Sequence, residues 1–104
     1  MNVIVKNHAK DRIHERMGLP KSISEKIAQK ALEQGLKHSD TVGNLRRYLD
    51  YIYFSHENAN GMRIYNNKLF IFHGSVLITV MDLPSKYFKT IESIKKSKTR
   101  ADET

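Results

Sequence analysis

Two polar dipeptides, Asn66-Asn67 and Gly74-Ser75, divide the stretch from Met62 to Pro84 into three runs of alternating strand formers, and this constrains the chain more than any other feature. Both dipeptides suit two-residue turns whose backbone needs positive φ, so the stretch predicts a three-stranded antiparallel meander. A two-residue turn fixes register. Tyr65 then opposes Lys68, Ile64 opposes Leu69 and Met62 opposes Ile71; across the second turn Ile71 opposes Ile78 and Leu69 opposes Val80. One face of this sheet is apolar. The other carries Arg63, Phe70 and Thr79 in one row, Tyr65, Lys68 and Met81 in the next, and Phe72 and Leu77 beyond. Cationic, aromatic and hydroxyl groups sharing a face point to an anionic, ring-bearing ligand such as RNA.

The rest of the chain reads as mostly helical. Val3 to Val5 is a short β-branched run able to add an edge strand. Ala9, Ile13 and Met17 then recur at four-residue spacing, with His8, Arg12 and Arg16 on the adjacent stripe, and Gly18 and Pro20 stop the helix. Ser22 and Glu25 form a capping-box pattern for a second helix, which buries Ile27, Ala28, Ala31 and Leu32 and stops at Gly35. After a polar loop from Lys37 to Asn44, the residues Leu45, Tyr48, Leu49, Ile52 and Tyr53 follow helical spacing, and residues 58 to 61 turn into the sheet. Tyr87, Phe88, Ile91 and Ile94 support a short last helix. The expected architecture is α+β, with N-terminal helices packed on one face of a three- to four-stranded antiparallel sheet and a short C-terminal helix. Residues 1–94 are expected as a single α+β domain, followed by a basic, disordered tail at 95–104.

Charge and cysteine content narrow the function classes. The net charge is +7, and since the tail holds four cations against two acids, residues 1–94 keep +5. A basic body favours polyanionic partners. There is no cysteine, which removes disulfides and thiolate metal sites. His14, His38, His56 and His73 lack metal-ligand spacing, so neither a metal nor a cofactor is expected. No apolar run approaches a signal peptide or a membrane span, and a cytoplasmic protein is expected.

The string His8-Ala9-Lys10-Asp11-Arg12 with Glu15-Arg16, followed by Arg63-Ile64-Tyr65 and Leu77-Ile78-Thr79-Val80, resembles a family of small Firmicutes and phage proteins. That family is similar, in helix-then-sheet order and in its N-terminal His-Ala-x-x-Arg motif, to the RelE/barnase/colicin-like (BECR) fold of metal-independent ribonucleases. The resemblance implies that His8, Arg12 and Thr79 match recurrent polar positions. It leaves cleavage open, because the sheet lacks an obvious base carboxylate: Asp82 ends the last strand and Glu57 lies in a loop. Metal-free RNA cleavage requires a base for the 2′-hydroxyl, a cation for the phosphorane and an acid for the leaving oxygen. The matching assignment makes His8 a general acid or base, Arg12 and Arg63 phosphate clamps, and Thr79 an orienting hydroxyl. Arg16, Tyr65, Lys68 and Phe70 would bind nucleic acid, with Tyr65 or Phe70 stacking a base.

Structural readings stand beside these. His8 also suits a helix start, and Arg12 and Arg16 suit a solvated face paired with Asp11 or Glu15. Phe70, Phe72 and Leu77 suit a face covered by the terminal helix or by a partner chain. Tyr48, Tyr51 and Tyr53 with Arg46 and Arg47 read as helix packing with a basic rim. Three function classes follow: a toxin- or phage-type ribonuclease, a non-catalytic binder of nucleic acid or of a host nucleoprotein complex, and a homodimer joined through the aromatic sheet face.

Overall fold

A computed structural model describes residues 3–56 and 59–103. The turn expected at 58–61 therefore begins outside the described residues, as does Glu57. Strand β1 (Ile4–Val5) leads into helix α1 (Asn7–Met17), and a 3-10 turn at Lys21–Ile23 precedes α2 (Ser24–Gln34). Strand β2 (Leu36–Lys37), a second 3-10 turn (His38–Asp40) and α3 (Gly43–Ser55) follow. Strands β3 (Gly61–Tyr65), β4 (Lys68–His73) and β5 (Val76–Asp82) then lead through a 3-10 turn at Ser85–Tyr87 into α4 (Phe88–Glu103).

The central meander is present, but as part of a larger mixed sheet. The strand order is β1-β5-β4-β3-β2. Strand β1 pairs parallel with β5, and β2 pairs antiparallel with β3. The β3–β4 register is the expected one, with Tyr65 opposite Lys68, Ile64 opposite Leu69 and Met62 opposite Ile71. Asn66 and Asn67 make that turn with φ of 51° and 60°, a conformation that asparagine tolerates better than most side chains.

The β4–β5 register differs from the expected one. Phe72 opposes Leu77, but after an irregularity Ile71 opposes Thr79, Phe70 opposes Val80 and Leu69 opposes Met81. The extra residue in β5 is a bulge, and it allows Leu77 and Val80, three positions apart, to reach the same core. It also places Thr79 in the row of Ile71, not in the row of Arg63 and Phe70.

Helices cover both faces of the sheet, where one covered face was expected. Ala9 and Ile13 of α1 and Ala28 and Ala31 of α2 pack with Phe70, Phe72, Leu77 and Val80. On the other side Leu45, Leu49 and Ile52 of α3 and Ile91 of α4 pack with Met62, Ile64, Leu69 and Ile71. The physical reason lies in β4, whose Leu-Phe-Ile-Phe run is apolar on both faces and must be buried on both. Phe70 is 0 % exposed beneath α1 and α2, so the face proposed for RNA stacking or for dimer formation is an interior layer. A buried phenylalanine contributes about 1.5–3 kcal/mol, which explains why the chain uses the ring this way.

Helix ends largely follow the expected punctuation. Gly18 closes α1 in the left-handed region with φ of 67°. The Ser22/Glu25 capping box does not form. The 3-10 turn occupies residues 21–23, α2 starts at Ser24 without a side-chain cap, and Glu25 instead pairs with Lys10 at 3.0 Å. Helix α4 runs through the lysine-rich segment to Glu103 instead of ending at Ile94.

Candidate functional site

The residues singled out in the sequence fall into separate places. His8 is exposed in the first turn of α1, and one turn later Arg12 donates to Glu15 at 2.6 Å. Arg16 reaches the far end of β5, where its guanidinium donates to Asp82 at 3.1 Å. Lys68 donates to the other oxygen of Asp82 at 2.7 Å, and Tyr65 sits across the ladder from Lys68. Arg16 and Lys68 thus meet at one carboxylate, with Tyr65 in the same row of the sheet. The Lys68 hydrogen bond, with Arg16 adding to it, holds Asp82 below the usual carboxylate range. Phe70 touches this group only from beneath, edge-on to Tyr65 with centroids 6.2 Å apart.

Arg63 lies elsewhere. Its Nε–H donates to the Leu32 carbonyl at 3.1 Å and a terminal N–H donates to the Met62 carbonyl at 2.9 Å, which ties the half-buried guanidinium to the end of α2 and to β3. Burial lowers its pKa, and the nearby Asp40 carboxylate opposes that shift. Thr79 shares a row with Ile71 and Met62, on the opposite face of the sheet from Arg63. The structure therefore does not bring His8, Arg12, Arg63 and Thr79 together.

Arg63 does line a cleft of about 350 Å³ together with Lys37, His38, Arg46, Tyr53 and Met62. Strand β2 brings Lys37 opposite Arg63, and the 3-10 turn that follows turns the chain so that His38 faces α3. That turn is held by its own hydrogen bonds. The Thr41 hydroxyl donates to the His38 carbonyl at 2.6 Å, and Asp40 accepts the Lys37 backbone N–H at 2.9 Å. The His38 Nε2–H donates to Asp50 at 2.5 Å, and the Tyr53 ring lies 5.8 Å from the imidazole at 48°. Arg46 is one helical turn before Asp50, and Phe54 one turn after.

A histidine oriented by a carboxylate is equipped for proton transfer. With Nε2 donating to Asp50, Nδ1 is the nitrogen left to take a proton. The cations around it supply what an oxyanion needs. The larger depression between the start of α3 and α4, about 710 Å³, is lined by Arg47, Tyr48, Lys86 and Tyr87 but by no histidine or carboxylate. It offers charge and rings without a proton acceptor.

The His38–Asp50 pair escapes sequence reasoning because twelve residues and a change of element separate its members. A sequence signal exists for the outer side of α3, though not for the pair. Leu45, Leu49 and Ile52 already fill the buried stripe of α3, so the further rings at Tyr51 and Phe54 exceed what packing requires. They are 70 % and 82 % exposed, and the helix-packing reading of Tyr51 does not hold.

No family model, curated protein or solved structure matches the chain. Among the described residues, no helix is long and apolar enough to cross a membrane and no three His, Asp or Glu side chains are grouped to hold a metal ion.

Proposed function

We propose that this protein is a metal-independent endoribonuclease working at the His38–Asp50 cleft. The observation that supports this most directly is that His38, which lines a cleft together with Lys37, Arg46 and Arg63, is hydrogen-bonded to Asp50 at 2.5 Å. In this reading Nδ1 of His38 takes the 2′-hydroxyl proton, the 2′ oxygen bonds to phosphorus and the P–O5′ bond breaks. The products are a 2′,3′-cyclic phosphate and a 5′-hydroxyl, whose proton comes from solvent in the open cleft. Arg46 and Lys37 face the charge that builds on the phosphorane, and Arg63, held by two backbone carbonyls, gives the cleft a fixed positive wall. The basic balance of +7 is consistent with a polyanionic substrate. A toxin or phage setting rests on the His8-Ala9-Lys10-Asp11-Arg12 resemblance alone.

The test follows cleavage and binding of labelled RNA, in EDTA, by the parent protein and by His38→Ala and His8→Ala. His38→Ala should lose at least about a hundredfold in rate with its thermal midpoint retained, while His8→Ala cuts like the parent. Loss with His8→Ala instead would return the chemistry to α1. RNA bound but left intact by the parent would make the protein a non-catalytic nucleic-acid binder.

A further inference from the structure

We infer that Phe54, with Tyr51 beside it, is a stacking platform for an unpaired base next to the cleft, so that the nucleic acid taken there is single-stranded. This inference rests on the reading of the cleft as an RNA site. Phe54 is 82 % exposed and Tyr51 70 % exposed, three positions apart on the outer side of α3. Neither ring serves the core, whose contacts from α3 come from Leu45, Leu49 and Ile52. The platform is continuous with the cleft through a row of rings. His38 lies 5.8 Å from Tyr53, and Tyr53 lies 5.9 Å from Phe54 at 82°.

Charge decides which occupant fits. Arg46 and Arg47 are exposed on the same helix, and the single acid of α3, Asp50, is engaged by His38. Exposed rings flanked by guanidinium groups match a chain that alternates phosphates with flat bases. A base inside a duplex has both faces covered by its neighbours, so away from a helix end it is an unpaired nucleotide that can lie on Phe54.

The chain contains no tryptophan, so Phe54→Trp in the full-length protein gives a single reporter that keeps the ring. It is titrated with 2′-O-methyl oligouridine, which binds but has no free 2′-hydroxyl to react, and with a blunt 2′-O-methyl duplex of equal length. The single strand should quench the fluorescence and the duplex should not. Phe54→Ala should weaken single-strand binding about tenfold, with its thermal midpoint unchanged. Equal quenching by both ligands, or unaltered affinity in Phe54→Ala, overturns the inference. So does a dimer in the parent that Phe54→Ala abolishes, since a second copy would then occupy the rings. Unmodified RNA assayed in parallel separates the two claims. Quenching without cleavage sinks the ribonuclease reading alone, whereas cleavage indifferent to Phe54→Ala sinks the stacking platform alone.

Discussion

Gly35 sits where α2 ends against β3, and the fit there leaves no room for a side chain. A Cβ at this position would lie 2.5 Å from the Ala31 carbonyl oxygen and 2.9 Å from Cβ of Arg63. The first of these is backbone inside a helix and cannot yield cheaply. Gly35→Ala should therefore lower stability by about 1–3 kcal/mol, read as a fall in the urea midpoint. Gly61 provides the control, since a Cβ there meets nothing nearer than Phe72 Cβ at 3.9 Å. Its replacement by alanine should be neutral or slightly stabilising, because a strand glycine loses more backbone entropy on folding. The same close approach seats Arg63 against the Leu32 carbonyl, so one wall of the cleft depends on a missing side chain nearby.

At the scale of elements, the 3-10 turn after β2 is tied to the end of the chain through one carboxylate. Asp40 accepts from the Lys37 backbone N–H and from Lys98 of α4 at 2.8 Å. These bonds, Lys98 first, hold the Asp40 carboxyl below its usual range. The unfolded chain therefore takes up this proton at a higher pH than the folded one. The stabilisation is complete above the unfolded value, near 3.9, and is lost as pH falls through the lowered folded value. Thermal midpoints of the parent should decline from about pH 5 downward, and Asp40→Asn should flatten that decline modestly, as befits a surface pair. What was legible in the sequence follows the same scale. The Asn66-Asn67 turn and the β3–β4 register could be read because two residues of turn chemistry leave one solution. The β4–β5 register could not, because the bulge between Leu77 and Val80 is decided by which hydrophobics reach the α1 and α2 core. The second covered face was written in the Leu69-Phe70-Ile71-Phe72 run, which fits a strand buried on both sides as well as an exposed aromatic platform. His38 and Asp50 had no local pattern, since tertiary packing alone joins them.

At the scale of the molecule, the proposed binding of RNA at the cleft makes a prediction about salt. Each phosphate contact made to a single strand adds about −0.7 to the slope of log affinity against log salt. Arg46→Ala, which removes a cleft cation, should reduce that slope by about 0.7, whereas Arg12→Ala, whose guanidinium is held by Glu15, should leave it unchanged. A binding assay at four or more salt concentrations distinguishes these outcomes. The sheet order carries a different implication, for folding. Ile4 pairs with Val76 across 72 positions, and Ala9 and Ile13 share their core with Phe70 and Phe72 of β4 and with Leu77 and Val80 of β5. Contacts of such long sequence separation are costly in chain entropy, so the β1–β5 pairing is expected to form after the β3–β4–β5 meander, whose turns are two residues long.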